Sequence, residues 1–308
     1  MIMKNKLLLK TVFLSLTVFL FALLLNGCKS GNNEEKQEET IEITDINKDV
    51  LQDVKEAEKI FYSLPSPLES AMLIKSAGAK FNEDLLNPTS NTSEYLTNRN
   101  KALNLGIYTC DLSFASLYDQ TQLVIDYMSA AKEMADGLGI LDAISEETIN
   151  RLEENVNNRS VIMEIVSETF LNSNSYLKEN EQSAIASMVL VGGWVEGLYI
   201  ATQLVDMDGF DSDKLVGRII DQKLSIDIML SLLKDNMDHP AMPGIVEQME
   251  ELKVIFDKIS ITTTDVKPEI DDATNVTVLR STVETDMTPQ VFTDLSQKVK
   301  EIRSSYVK

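Results

Sequence analysis

The chain has 308 residues, of which 28 are basic and 49 are acidic, with one His and two Cys. A chain of this length can bury one or two cores, and its 44% hydrophobic and 25% charged residues are typical of a globular protein. One His excludes di-iron bundles and two-His zinc proteases, and two Cys exclude a disulfide scaffold or an all-cysteine zinc site. A Ser-His-Asp triad would have to use His239.

The first 27 residues have the composition of a secretory signal peptide. Lys4, Lys6 and Lys10 form a positively charged start without an acidic neighbour, and the stretch 11–25 that follows has no charge. That stretch is shorter than the roughly 20 residues that a helix needs to span a bilayer. We therefore expect residues 1–27 to be removed on export.

The stretch ends in Leu25-Asn26-Gly27-Cys28, which resembles the lipobox of bacterial lipoproteins. The resemblance implies that the Cys28 thiol carries a diacylglyceryl group, that the chain is cut before Cys28, and that the new amino terminus is acylated. Lys29 stands where an Asp would favour retention in the inner membrane. The resemblance therefore implies an outer-membrane lipoprotein, on the periplasmic face or at the cell surface.

Residues 28–47 are polar, acidic and unpatterned, which predicts a flexible tether behind the lipidated Cys28. As a coil of about 19 residues, this tether reaches roughly 24 Å. Loss of residues 1–27 removes three Lys and no acid, so the net charge changes from −21 to −24. Because such a charge repels nucleic acid, we expect no nucleic-acid partner. We expect the contact with the membrane to be made through the anchor at Cys28.

Residues 48–261 have a helical period nearly throughout and predict one helical domain. Ser66, followed by Pro67 and Glu69, is typical of a capping box at a helix start. The three Gly inside the most apolar segment, 181–206, are expected to let a neighbouring helix approach closely. In chain order, the predicted helices are 50–64, 67–81, 92–105, 107–137, 145–157, 159–177, 181–206, 215–233 and 245–259.

Residues 262–308 change character and predict a C-terminal appendage that either packs on the bundle or extends from it. It combines a short β-like run at 275–279 with a final helix over 288–303. The predicted fold class is therefore all-α, a bundle of about eight or nine helices with a short irregular or β-like segment and a final helix. Strand-like runs do not alternate with the helices, which argues against a parallel βαβ fold.

The segments 107–138 and 188–203 look similar to segments of uncharacterised helical lipoproteins of Gram-negative bacteria. The pattern that carries the similarity is LG-x-Y-x-x-DLS-x-A, which runs here from Leu105 to Ala115. The resemblance implies a common fold, and it implies no activity.

The helix after residue 107 contains the first candidate for a binding site. Tyr108 and Asp111 share one face of it, and Asp111 lies among apolar residues. A buried carboxylate must be paired or hydrogen-bonded, and Arg99 and Arg159 are candidate partners. Asp111 either faces a ligand or forms an interhelical bond that fixes the register of two helices. The adjacent Cys110 is expected to be a buried, inert thiol.

The second candidate lies on the apolar helix 181–206. Glu196 is the only charged residue between its ends, and it lies near Tyr199 and Trp194, the only Trp in the chain. A lone acid in an apolar helix often has a raised pKa and marks a site. It can equally belong to a buried polar network with a Tyr or an Arg.

Two further polar segments do not complete a known site. The turn 206–213 groups acidic residues around a Gly, but an EF-hand would need ligands where Phe210 and Gly217 stand. Asp211 or Ser212 is expected to cap the next helix instead. The only His stands in a Pro-flanked loop, and nothing in the sequence completes a catalytic, copper or haem site around it. We therefore expect neither a metal nor a cofactor.

These features favour a lipid-anchored protein of the cell envelope that acts as a non-enzymatic binding or scaffold module, with an unidentified envelope protein as its partner. The alternative is a small-molecule sensor or carrier, with a pocket between the helices that hold Asp111 and Glu196. A hydrolase would need His239 and has little support.

Overall fold

The computed structural model of the chain describes residues 64–141, 146–263, 267–271, 276–280 and 283–308. The predictions for the signal peptide 1–27, the lipidated Cys28 and the tether 28–47 lie outside these residues. The predicted first helix 50–64 also lies outside them, except for its last residue. The described residues belong to one unit of the chain.

The described residues confirm the all-α bundle. Nine α-helices occur in them, together with 3-10 turns at Glu83–Leu85, Thr89–Glu94 and Met207–Ser212. The helices are α1 (Pro67–Ser76), α2 (Asn98–Leu117), α3 (Thr121–Gly137), α4 (Glu146–Glu154), α5 (Arg159–Glu179), α6 (Ser183–Gln203), α7 (Lys214–Lys234), α8 (Met242–Phe256) and α9 (Pro289–Tyr306).

Local capping signals explain where several of the helices begin and end. The capping box of α1 is confirmed, because the Ser66 hydroxyl accepts from the Glu69 N–H and the Glu69 carboxylate accepts from the Ser66 N–H at 2.7 Å. Helix α1 ends before Gly78, whose φ of 94° suits a glycine, and not at the predicted residue 81.

The predicted boundaries around α2 are wrong. Residues 89–94 form a 3-10 turn, and α2 begins only after the Thr97 cap, which accepts from the Asn100 N–H. The helix then continues through Gly106, where the sequence predicted an end. The predicted continuous helix 107–137 is broken instead at Asp119, whose φ is 58°.

Gly106 lies inside α2 because it allows α2 to cross α6 at close range. A Cβ on Gly106 would lie 2.0 Å from the carbonyl oxygen of Val189, and a Cβ on Gly192 would lie 2.0 Å from that of Leu103. No side chain fits at either position, so the two backbones meet directly. The expected close approach at the glycines of this apolar helix is thereby confirmed.

Helix α6 forms the centre of the bundle, with α2, α5, α7 and α9 packed around it. By length and composition it is the one helix of the described residues that passes as a candidate membrane span, with a mean hydropathy of 1.6. Within the bundle, 94% of that stretch is buried, as in the core helix of a globular protein.

The C-terminal residues combine a ribbon of paired strands with a helix of the core. Strand β1 (Ser260–Thr263) pairs antiparallel with β4 (Val283–Asp286), and β2 (Lys267–Asp271) pairs antiparallel with β3 (Val276–Arg280). Strand β3 coincides with the predicted β-like run. Helix α9 packs against α6 and α8, so it belongs to the core that the helices before residue 261 form.

Candidate functional site

Three ionisable groups that are distant in sequence meet in the core of the bundle. Asp111 of α2 and Glu196 of α6 are completely buried, and Arg303 of α9 is 9% exposed. Arg303 is therefore the cation of this network, and neither predicted partner of Asp111 takes that role. Arg159 pairs with Asp119 at 3.2 Å, and Arg99 lies over the ring of Tyr306.

Arg303 holds Glu196 through a two-pronged contact. Its Nε donates to Glu196 Oε2 at 2.9 Å, and its Nη2 donates to Oε1 at 3.0 Å. Nη2 also donates to the Leu85 carbonyl at 3.2 Å, and the guanidinium lies 4.8 Å from the ring centre of Tyr199. Burial opposes the charge on Arg303, but the Glu196 carboxylate outweighs this effect, so the pKa of Arg303 is raised.

Asp111 adds a second carboxyl group to this pair. Its Oδ2 accepts from the Asn87 N–H at 3.0 Å, whereas its Oδ1 has no partner among the hydrogen bonds of the described residues. Burial, and then the nearby Glu196 charge, raise the pKa of Asp111 well above its usual range, although Arg303 and the Asn87 N–H act in the opposite direction. A proton on Asp111 makes the three groups electrically neutral together, which a buried cluster requires.

A further layer of hydrogen bonds ties the end of α9 to this network. The Asn87 amide donates to the Tyr95 hydroxyl at 3.0 Å and to Asn104 Oδ1 at 3.1 Å. Asn104 in turn donates to the carbonyl of Tyr306 at 2.8 Å. These bonds join α2, the segment before it and α9, and the Arg303–Glu196 pair adds α6. The network is therefore an interhelical contact that fixes the register of α2, α6 and α9.

The structure buries all of the predicted pocket residues and brings most of them together in the core. Tyr199 lies beneath Arg303, and the Tyr108 hydroxyl donates to the Pro88 carbonyl at 3.1 Å. Trp194 lies apart from the network, because its indole N–H donates to Gln222 of α7 at 2.9 Å. Of the predicted residues, only Trp194 lines one of the two cavities found in the described residues, a small one of about 30 Å³ beside α1 and α7.

A larger cavity, partly open to solvent, lies on another side of α2 and α6 and is lined also by α3, α4 and α5. Its volume is about 320 Å³. An engineered apolar cavity that holds benzene has a volume of ~150 Å³, so this space is about twice that size. Most of its lining is apolar, for example Leu112, Ile140, Leu152, Phe170 and Val189. Such a cavity suits a small apolar molecule.

Two polar groups in the lining have no hydrogen-bond partner. Asn174 of α5 is 5% exposed, and neither its amide nitrogen nor its amide oxygen is paired within the described residues. The Thr169 hydroxyl is unpaired in the same way. The charged side chains of the lining, Lys132 and Glu153, are exposed. The polar groups inside this cavity are therefore uncharged.

Sequence reasoning missed this cavity, although one signal for it was present. Ile162, Val166, Phe170 and Asn174 follow one another at intervals of four residues, so the Asn stands in an apolar stripe of α5. A polar residue inside such a stripe indicates either a buried hydrogen bond or a ligand.

The acidic turn 206–213 and the loop that holds His239 have structural roles. Asp213 caps α7 by accepting from the Leu215 N–H at 2.8 Å, so the expectation that Asp211 or Ser212 does so is wrong. His239 Nδ1 accepts from the Ala241 N–H at 3.2 Å. No group of His, Cys, Asp and Glu able to hold a metal occurs in the part of the chain that the structure describes. Cys110 is buried as expected, and burial raises the pKa of its thiol.

Comparisons of the chain with known protein families, with curated proteins and with solved structures found no match.

Proposed function

We propose that this protein is a lipid-anchored lipoprotein of the outer membrane that acts as a non-enzymatic binding module and holds a small apolar molecule in the cavity lined by α2, α3, α4, α5 and α6. The observation that carries the proposal is the cavity of about 320 Å³ with its mainly apolar lining. The proposal places the ligand here and not at the predicted pocket near Asp111 and Glu196, because this cavity is the larger of the two described and neither residue lines it.

The anchor is supported by the sequence around Cys28. Each buried methylene contributes roughly 0.8 kcal/mol to membrane binding, so two or three acyl chains hold a protein durably where one does not. The acidic tether would keep the helical domain near the membrane. A carrier at this place has ready access to apolar molecules that pass through the envelope.

Binding without chemistry is favoured by the distribution of reactive groups. Glu196 and Arg303 pair with each other in the core, and the unpaired polar atoms of the cavity lining, on Asn174 and Thr169, are uncharged. Such a wall retains a ligand. The two ionisable side chains of the lining, Lys132 and Glu153, are exposed, whereas a general acid or base must lie within reach of the reacting atoms.

The anchor is tested by membrane fractionation of a Cys28→Ser variant beside a Cys110→Ser control. We expect Cys28→Ser to leave the membrane fraction or to keep its signal peptide uncut, and Cys110→Ser to behave as the parent protein. Unchanged fractionation and processing of Cys28→Ser would reject the anchor.

The cavity is tested with N-phenyl-1-naphthylamine, an uncharged probe whose fluorescence rises in apolar surroundings. Ala186 of α6 lines the cavity, and Ala184, one half-turn earlier, is half-buried and does not. We expect Ala186→Leu to weaken probe binding severalfold because it fills the cavity, and Ala184→Leu to leave it unchanged. Equal binding by both variants would contradict the proposal.

A further inference from the structure

Asn174 places an unpaired amide group in the lining of the apolar cavity, and this group indicates which polar group a ligand should have. Resting on the proposed function, we infer that the ligand is an uncharged apolar molecule with one group that both donates and accepts a hydrogen bond, such as an alcohol or a primary amide. Asn174 binds this group inside the cavity, and the Thr169 hydroxyl assists it.

The inference depends first on the unpaired state of Asn174. Its side chain is 5% exposed, and its amide offers one unused acceptor and unused donors within the described residues. Leaving such a group unpaired in the core is unfavourable, and native proteins rarely do so. A ligand that donates to the amide oxygen and accepts from the amide nitrogen satisfies both atoms.

The Thr169 hydroxyl is, like that of Ser116, without a hydrogen-bond partner in the described residues, and of the two only Thr169 lines the cavity. A helical Ser or Thr commonly donates to the carbonyl four residues earlier. Thr109 donates in this way to Leu105 at 2.7 Å, and Ser187 donates to Ser183 at 2.8 Å. The Thr169 hydroxyl, in contrast, lines the cavity without a partner. It is therefore available to the same ligand group or to a water beside it.

The charge of the lining excludes an ionised headgroup at Asn174. Lys132 and Glu153, the charged residues of the lining, are exposed and carry opposite charges. An ion placed beside Asn174 would lose its hydration without gaining a counter-ion, which is strongly unfavourable. The volume sets the size, since a cavity about twice as large as one that holds benzene accommodates a molecule of two or three rings.

Three bicyclic molecules of nearly equal size separate these properties: naphthalene, 2-naphthol and 2-naphthoate. They are titrated as competitors of N-phenyl-1-naphthylamine bound to the lipoprotein in phosphatidylcholine vesicles, with protein-free vesicles as the blank. Energy transfer from Trp194, the only Trp in the chain, reports probe that is bound to the protein. Trp194 follows the lining residue Leu190 by one turn of α6, so transfer to a probe in the cavity is efficient.

We expect 2-naphthol to displace the probe at roughly one tenth of the concentration that naphthalene requires, because it forms two hydrogen bonds with Asn174. We expect 2-naphthoate to be the weakest competitor. Asn174→Leu should reduce the difference between 2-naphthol and naphthalene to within about twofold, and Thr169→Val should reduce it in part. Asn172→Leu, the same change at an exposed position of α5, should keep the full difference.

The outcomes distinguish the inference from the proposed function. Probe binding with equal displacement by naphthalene and 2-naphthol, or with 2-naphthoate as the best competitor, would overturn the inference and leave the cavity as a binding site. A 2-naphthol preference that survives in Asn174→Leu would also overturn it. Absence of energy transfer beyond the vesicle blank would overturn the proposed function itself.

Discussion

Arg303 and Glu196 are 107 residues apart in the chain, and the guanidinium of one holds the carboxylate of the other through bonds of 2.9 and 3.0 Å. The pair connects α9 to the central helix α6 in a region that water does not reach. Removing Arg303 would leave a buried carboxyl group without its cation, so loss of this pair should destabilise the folded state strongly.

Arg303→Ala is expected to lower the free energy of unfolding by about 3–5 kcal/mol, because the buried Glu196 carboxyl group then loses both of its hydrogen bonds to the guanidinium. Urea denaturation followed by circular dichroism measures the change. The matched control is Arg159→Ala, whose pair with Asp119 is 43% and 71% exposed and should contribute at most about 1 kcal/mol. Similar losses in the two variants would show that the buried pair has no special role.

Asp111 is expected to make the protein less stable as the pH rises. Between the ordinary pKa of an Asp and the raised pKa of Asp111, the folded chain keeps a proton that the unfolded chain has lost. The free energy of unfolding therefore falls as the pH rises through this window. The other ionisable groups that act on Asp111 or respond to it are Glu196, Arg303, Cys110, Tyr108, Tyr127 and Tyr199.

Asp111→Asn removes the titratable carboxyl group and should flatten the pH dependence of the free energy of unfolding between about pH 4 and pH 8. In this range Cys110 and the tyrosines stay protonated. At the upper end of this range the variant should be more stable than the parent protein. Denaturation curves at a series of pH values test this expectation, and parallel curves for the two proteins would refute it.

Gly106→Ala is expected to destabilise the protein by about 3 kcal/mol or more, since the new methyl group would meet the Val189 carbonyl, a backbone atom that cannot move aside. Gly217→Ala is the opposite case. It lies in α7 with nothing within 4 Å of its missing Cβ, so the change should stabilise by about 0.5–1 kcal/mol. Thermal unfolding of both variants measures the change in stability that each substitution causes. Changes in the same direction would contradict the packing described for α2 and α6.

Arg151→Gln is expected to accelerate the release of a ligand from the cavity. Arg151 attaches α4 to α5 through Glu168 at 3.3 Å and Glu164 at 3.5 Å, and α4 contributes Leu152 to the cavity wall. Exposed pairs of this kind contribute up to about 1 kcal/mol, so the release rate should rise by at most about fivefold. Stopped-flow dilution of bound N-phenyl-1-naphthylamine measures the rate.

The control for this experiment is Arg218→Gln, which breaks an exposed pair with Asp221 at 3.4 Å on α7, away from the cavity. It should leave the release rate as it is in the parent protein. An equal acceleration in the two variants would mean that α4 does not cover the cavity.

Sequence signals of short range predicted the structure well. The capping box at Ser66 was found because its parts lie within four residues of one another. The break expected after Gly106 was wrong because a glycine in a helix has two explanations, an end or a close contact, and only the position of α6 decides between them. The true break at Asp119 has a positive φ without a glycine, and the local sequence does not indicate it.

The candidate site was predicted in part for the same reason. The burial of Asp111 and Glu196 followed from their apolar surroundings, and the contact of Glu196 with an Arg followed from the energetics of buried charge. Which Arg completes the network depends on the path of α9, and the period of α2 and α6 contains no information about that path. The cavity depends on five helices at once, so the apolar stripe around Asn174 indicated only one of its walls.

The distance along the chain between the two carboxyl groups and Arg303 has a consequence for biogenesis. A polypeptide that is made or exported from its amino end presents α2 and α6 long before α9 arrives, so their acidic side chains cannot yet be buried at low cost. The central crossing of the bundle should therefore stay open to solvent until α9 is delivered. A half-assembled state with its core helix uncovered should therefore precede the folded state in every round of synthesis.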